Sequence, residues 1–224
     1  MNTLQLIHRL KKESQSPQNH IKIESLRNSN ACLRPVQIKR EDARVMAKWR
    51  RETYQSFFTW IQPSEAEMLE WLTRYENIDS DIIFFIEAPL GNPVGQVSIY
   101  NVDMDKKFAE FGRIIKGEKE CPENLMKHAC ATVLQWAFYS LQLKKISLEV
   151  FADNKAAISL YKKLRFNILD ILFFSKTKTP KGIIRWINVE KVRDKNQYRM
   201  VYKMTVKPRN EMNENGPPIR RNII

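Results

Sequence analysis

One segment of the 224-residue chain concentrates side chains that can do chemistry: Phe151-Ala-Asp-Asn-Lys-Ala-Ala-Ile-Ser-Leu-Tyr-Lys-Lys-Leu-Arg-Phe166. Asp153 or Asn154 stands where a helix begins, its side-chain oxygen suited to first-turn N–H groups. The helix predicted from there through Leu164 turns Ala157, Ile158 and Tyr161 inward. A tyrosine on a helix that faces a sheet cleft is a competent proton donor. The competing reading is a core tyrosine whose hydroxyl meets a backbone carbonyl. Glu110 adds a carboxylate within a strand pattern. Period-two alternation puts Glu110, Gly112 and Ile114 on one face with Arg113 opposite, and by itself reads Glu110 as a solvated strand-edge charge.

Thiols and imidazoles point away from a metal. Cys32, Cys121 and Cys130 are odd in number with no close pair, and His8, His20 and His128 form no cluster along the chain. Neither a zinc site nor a disulfide framework is expected, and the thiols read as reduced. A nucleophilic cysteine beside His128 is the sharper alternative to plain helix surface.

The net charge of +13 is unevenly placed. Residues 1–30 carry five basic and two acidic residues, and residues 176–224 carry thirteen and four, balances of +3 and +9 that leave only +1 for residues 31–175. Basic flanks around a near-neutral middle argue against a nucleic-acid groove and for a solvated periphery. Attraction of an anionic substrate or surface stays open. No apolar run approaches the roughly 20 residues that span a bilayer, and Met1 to Lys12 is too polar for a signal peptide. The cytoplasm is the expected location.

The elements that must position these groups follow in order. Residues 1–30 read as a polar extension with a short amphipathic piece at Leu4, Ile7 and Leu10, then a linker from Ser14 to His20. Cys32 to Ile38 is a short strand, with Pro35 marking an edge or an end. Arg40 to Thr53 is helical, and the Ser64–Glu67 capping box opens a second helix through Tyr75. Asp81 to Glu87, Val94 to Val102 and Phe108 to Lys116 are strands joined by tight turns, an antiparallel meander. A helix from Glu123 to Leu141 has one apolar face marked by Leu125, Ala129, Val133, Trp136, Ala137 and Ser140. The strand Lys145 to Val150 leads to the Tyr161 helix. Strands at 168–174, 183–189 and 198–206 close the domain, and residues 207–224 read as a mobile basic tail. The pattern is an α/β domain over residues 31–206, a central mixed, mostly antiparallel sheet flanked by helices.

With these elements in place, Phe151–Phe166 resembles the fourth-helix motif of the GNAT family of N-acetyltransferases: Asn154, then Ala157-Ile158, Leu160-Tyr161 and a closing pair ending in Phe166. Leu33-Arg-Pro35 resembles the family's first strand, Val94 to Tyr100 the third, and Ala109-Glu-Phe-Gly112 the fourth. Trp136-Ala-Phe138, with Leu141 and Leu143, resembles the end of its third helix, so the likeness spans residues 31–170. It implies the GNAT fold and an acyltransferase using acetyl-CoA or another acyl-CoA as co-substrate, with direct attack of an amine on the thioester. Tyr161 becomes the acid for the departing thiolate and Glu110 the base, directly or through water. Backbone N–H groups around Ile114 and Ile115 hold the thioester carbonyl, and Asn154 contacts the pantetheine arm, although helix capping alone also explains Asn154.

The pyrophosphate loop maps to Cys121-Pro-Glu-Asn-Leu-Met126, giving Pro122, Asn124, Leu125 and Met126 as cofactor-binding residues. It lacks the family's glycines. Asn124 tolerates unusual backbone angles, Pro122 has no N–H, and Glu123 repels a phosphate unless it turns outward. Lys116, Lys119 and Lys127 are the cations at hand. Arg165 stands where the family places glycine.

Two branches of the family share a tryptophan-arginine like Trp49-Arg50, which the resemblance assigns to substrate binding. The wording of the fourth strand favours the branch acting on nucleotide-linked amino sugars. The acceptor expected is therefore such a sugar amine. A protein N-terminus or small amine is the alternative, and a non-catalytic GNAT-fold binding module is a second. Residues 176–196 form an extra hairpin that either lines the acceptor site or pairs with another subunit, giving a homodimer.

Overall fold

The computed structural model describes residues 3–23, 30–190 and 198–208. In chain order the elements begin with α1 (Thr3–Lys12), β1 (Ile21–Lys22), β2 (Cys32–Pro35), α2 (Arg40–Thr53), β3 (Thr59–Trp60) and α3 (Glu65–Tyr75). Next come β4 (Ile82–Glu87), β5 (Pro93–Asp103), β6 (Phe108–Lys116), α4 (Leu125–Tyr139) and β7 (Lys145–Phe151). The chain closes with α5 (Lys155–Lys163), β8 (Asn167–Lys178), β9 (Ile184–Asn188) and β10 (Arg199–Val206). Two compact units result, one from residues up to Gln37 with Asp79–Ile146, the other from Ile38–Ile78 with Ser147–Thr205.

In the first unit the strand order is β1-β2-β4-β5-β6, every neighbouring pair antiparallel. β4 is Ile-Ile-Phe-Phe-Ile-Glu with all six residues buried, the continuous apolar run of a strand covered on both faces. Pro35 ends β2, where a missing N–H costs no ladder bond. α4 buries Leu125, Ala129, Cys130, Val133, Trp136 and Ala137, and Trp136 meets Phe84 of β4 edge-on.

The N-terminal segment is more ordered than a polar linker. α1 runs ten residues and buries Leu6, Ile7 and Leu10. Thr3 Oγ1 donates to the Leu141 carbonyl (3.3 Å), and His8 Nδ1 lies 3.1 Å from Asp79 Oδ1. Between Ser14 and His20, expected as linker, Pro17–Asn19 forms a 3-10 turn. Asn19 Nδ2 there donates to the Glu13 carbonyl and carboxylate at 3.0 and 3.1 Å.

In the second unit the strand order is β7-β10-β8-β9-β3, with β10/β8, β8/β9 and β9/β3 antiparallel. α2 carries Glu41 and Asp42 in its first turn and Arg50 and Arg51 in its last, the charge order its dipole favours. The Ser64–Glu67 capping box opens α3 as expected. The core holds Phe151, Phe174 and Val201 with Phe58, Leu172 and Trp186 packed against them. Of the residues expected to face inward on α5, Tyr161 is buried while Ala157 and Ile158 are half-buried. β8 extends to Lys178 rather than Phe174 because its second half pairs with β9. The two-residue strands β1 and β3 are too short to carry periodicity and escaped sequence reading. Residues 191–196 of the extra hairpin and the tail from 209 lie outside the described residues.

If α1 belongs to the first unit's core, Ile7→Ala, which truncates a side chain with no exposed surface, lowers stability by about 3 kcal/mol in urea denaturation. An unchanged midpoint would show the helix to be energetically separate.

Candidate functional site

The first unit supplies β6, the turn after it and the start of α4. β6 is not a plain strand. Gln96 and Ser98 of β5 pair with Ile115 and Gly112, so β6 carries one extra residue there, a bulge at which Arg113 takes φ +51°. The alternation expected for Glu110, Gly112 and Ile114 therefore breaks at Arg113. That residue is held by a polar network. Its Nη2 donates to buried Asp81 (2.8 Å), its Nη1 to Ser98 Oγ (3.3 Å), and its carbonyl accepts from Gln96 Nε2 (3.0 Å). Its guanidinium also lies 4.4 Å from the centre of the Tyr100 ring. Asp81 further accepts from the Asn101 backbone N–H and Ser80 Oγ, both at 3.0 Å. Glu110, half-buried before the bulge, accepts from Asn101 Nδ2 at 3.1 Å. Ile114 is half-buried and Ile115 buried. At Gly95, a Cβ would come within 2.6 Å of the Ile115 carbonyl and 2.8 Å of Met126 Sδ, so the bulge, β5 and the start of α4 close together only over a glycine.

The turn into α4 solves the lack of glycine with Asn124, whose φ is +61°, ψ −4°. Asparagine is among the side chains that tolerate this region. The left-handed turn starts α4 at Leu125, two residues later than expected. Pro122, Glu123 and Asn124 are exposed, Leu125 is buried, and Met126 is half-buried. Asn124 makes no side-chain cap and the first turn contains no acid, so neither blunts the positive end of the dipole. This arrangement fits an anion such as a pyrophosphate.

The cysteines are poor nucleophiles. Burial alone pushes the Cys130 thiol up to about 12, and burial likewise raises Cys121. Both are protonated at neutral pH, which removes the idea of a thiolate beside His128.

The second unit supplies α5. Asn154 caps it, its Oδ1 accepting from the Ala157 N–H at 3.2 Å. Tyr161 is held from the other end. The N–H of Phe166 donates to the Tyr161 carbonyl and that of Arg165 to the Lys162 carbonyl, both at 3.0 Å, with Arg165 at φ +69°. That is a Schellman closure with an arginine in the glycine position, and the Tyr161 and Phe166 rings meet 5.9 Å apart as its apolar contact.

Trp49 of α2 is fully buried, so it presents no surface outside the core. Arg50 donates from Nη2 to the Thr59 carbonyl (2.7 Å) and lies over the Phe57 ring at 3.6 Å, and burial lowers its pKa to about 10. It thereby fixes the segment leading into β3. An aromatic group that sequence reasoning missed surrounds β3 and β9. Trp60 and Trp186 lie 6.1 Å apart, Trp186 is 5.7 Å from Phe151, and Phe58 is 4.8 Å from Phe151. Lys176 Nζ stands 4.9 Å from the Trp60 ring, and Arg199 lies 3.4 Å over Phe151 while pairing with Asp153 at 2.7 Å. No periodicity could have announced this group, since its rings come from three separate segments.

The meander with a bulged strand running into a helix N-terminus, and the capped helix carrying a tyrosine, are the elements that the resemblance to coenzyme A-dependent acyltransferases implies. Residues 30–167 match the family model described as acetyltransferase (GNAT) domain. The chain belongs to the GNAT family and is an N-acetyltransferase that uses acetyl-CoA. It is 28% identical over 136 residues to spermidine N(1)-acetyltransferase of Escherichia coli strain K12, covering 61% of this chain and 68% of that one. The enzyme of the same name from Vibrio cholerae is 25% identical over 134 residues, 60% of this chain and 72% of the other. A crystal structure of the Vibrio cholerae spermidine N-acetyltransferase with CoA and spermine has the same fold, with TM-score 0.63 and 22% identity over 80% of this chain and 96% of that one. A dodecameric structure of that protein aligns with TM-score 0.60 and 22% identity, over 80% of this chain and 95% of that one.

Arg165 holds a backbone angle that costs an L-residue about 1 kcal/mol. Arg165→Gly accordingly raises stability by about that amount in urea denaturation; a loss of stability would mean that its side chain contributes more than the angle costs.

Proposed function

We propose that the protein acetylates a primary amine of a small, flexible amine of the polyamine class. The observation that carries this reading is the similarity to spermidine N(1)-acetyltransferases over 136 residues. In the first unit, the dipole end of α4 at Asn124, Leu125 and Met126, flanked by Pro122, receives the pyrophosphate, and backbone N–H groups at Ile114 and Ile115 polarise the thioester carbonyl. Glu110, directly or through water, accepts the proton that the ammonium must lose before it can attack. In the second unit, Asn154 contacts the pantetheine arm while capping α5. Tyr161 donates its phenolic proton to the sulfur as the carbon–sulfur bond breaks and the carbon–nitrogen bond forms. The proton taken from the amine balances the one given to sulfur, so the protein returns to its starting state after exchange with water.

A second reading keeps the amino-sugar acceptor, linked to a nucleotide. It is favoured by Lys176, Arg199 and Arg50 around the aromatic group of the second unit, cations suited to a phosphate-bearing ligand and poorly suited to a polycation. The buried indole N–H groups of Trp60 and Trp186, without acceptors among the described residues, are donors that an oxygen-rich sugar could meet.

Incubation with labelled acetyl-CoA and a panel of polyamines, nucleotide-linked amino sugars and N-terminal peptides separates these readings. Transfer to spermidine or a shorter diamine is expected; transfer confined to amino sugars reverses the order, and failure of acetyl-CoA to raise the melting temperature would leave a binding module. Tyr161→Phe lowers kcat by about a hundredfold with acetyl-CoA affinity nearly unchanged, and unchanged turnover removes Tyr161 as the acid.

A further inference from the structure

Three side chains far apart in sequence converge at one end of the first unit's sheet. Cys32 opens β2 and lies directly opposite Glu87, the last residue of β4, so the two side chains leave the same face. His20 immediately precedes β1, whose Lys22 is the neighbour of Cys32 on the other side. Glu87 Oε2 lies 3.5 Å from Cys32 Sγ, and His20 Nδ1 lies 3.9 Å from the same sulfur. The three atoms all fall within 4.8 Å of one another. In a tetrahedral zinc site the edges between nitrogen, oxygen and sulfur ligands are about 3.3–3.6 Å. The sulfur–carboxylate edge already has that length. A rotation of the partly exposed imidazole closes the rest.

The outer contacts are those of a ligand set. His20 Nε2 faces the Ser14 carbonyl at 3.3 Å. With the proton on Nε2 to make that bond, the lone pair sits on Nδ1, the atom turned to the sulfur. Glu87 gives Oε1 to the Arg34 guanidinium, which also donates to the Pro35 carbonyl at 3.2 Å, and keeps Oε2 for the cluster. A thiol–carboxylate hydrogen bond by itself requires neither an imidazole anchored through its far nitrogen nor a carboxylate oriented by arginine. We propose that His20 Nδ1, Cys32 Sγ and Glu87 Oε2 bind a divalent metal of the zinc type, with the fourth position open to water. Thiolate, imidazole and carboxylate together suit zinc better than the hard cations.

The electrostatics set the terms of binding. Burial first, then the charge of Glu87, pushes the Cys32 thiol up to about 12. The metal-free cluster therefore keeps its proton at neutral pH, and the incoming cation displaces it to solvent. Binding weakens as pH falls, since each lost unit returns tenfold more protons to compete for the sulfur. Arg34 offsets one negative charge and holds the affinity below that of an all-thiolate site. The bound ion ties the segment following α1 to the ends of β2 and β4. It lies outside the groups assigned to acetyl transfer, so it stands independently of the acceptor.

The test uses the full chain, freed of metal and titrated with cobalt(II). One equivalent is expected to bring up a thiolate-to-cobalt charge-transfer band and tetrahedral d–d bands, both erased by zinc. Cys32→Ser abolishes the charge-transfer band whereas Cys121→Ser leaves it, and His20→Gln weakens binding by about tenfold or more. Zinc raises the melting temperature of the unaltered chain and of Cys121→Ser alone. Should Cys32→Ser fail to fold, the affinity of His20→Gln decides. A cobalt spectrum without the charge-transfer band overturns the proposal, as does a band that persists in Cys32→Ser or an affinity unaltered in His20→Gln.

Discussion

Arg113 sits inside a strand with a left-handed backbone, and the buried carboxylate of Asp81 keeps it there. The angle costs an L-residue about 1–2 kcal/mol, whereas a hydrogen bond to a charged group contributes about 1.5–3 kcal/mol. Asp81 accepts from Arg113, Ser80 and the Asn101 backbone, so its charge is balanced and both its oxygens are bonded. Releasing Arg113 would strand the buried carboxylate of Asp81, so the pair favours this arrangement over its competitors. Everything after the bulge inherits its phase: Ile114, Ile115, the turn at 117–124 and the start of α4. Gly95 is the matching concession on β5, the place where a side chain would strike both Ile115 and Met126.

The same economy explains how a chain with six glycines builds turns that usually call for them. Among the described residues six non-glycine ones take positive φ, including Asn101, Lys107, Arg113, Asn124 and Arg165. Several carry visible compensation. The backbone N–H of Asn101 is bound by Asp81, and the carbonyl of Lys107 accepts from Lys144 and Lys145 at 2.7 and 3.3 Å. Arg165 closes α5 by two backbone bonds and the Tyr161–Phe166 ring contact. Asn124 takes its left-handed angle without a side-chain cap on α4. At Asn124 and Arg165, where the resemblance implies glycine, the backbone takes the left-handed angles that glycine favours.

In the second unit the organising force is aromatic. Phe58, Phe151 and Phe174 meet edge-on or tilted, and arginine and lysine cap the outer faces instead of pairing only with carboxylates. Guanidinium over a ring keeps its charge while shedding little hydration, so the cluster can be both apolar and positively charged.

Local chemistry was legible in the sequence wherever one segment settles its own structure. The capping box of α3, the ends of α2, the meander and the Asn154 cap all follow from neighbours within a few residues, and so did membership of the family, whose motifs lie in order along the chain. Tertiary structure alone decided the rest. Period-two counting cannot see a bulge, because the extra residue at Arg113 is imposed by pairing with β5. Burial of Trp49 and the contacts of Arg50 depend on segments that fold over them. His20, Cys32 and Glu87 show the limit most plainly. Their spacing along the chain carries no ligand signature, and only register across β1, β2 and β4 brings three donor atoms to one point.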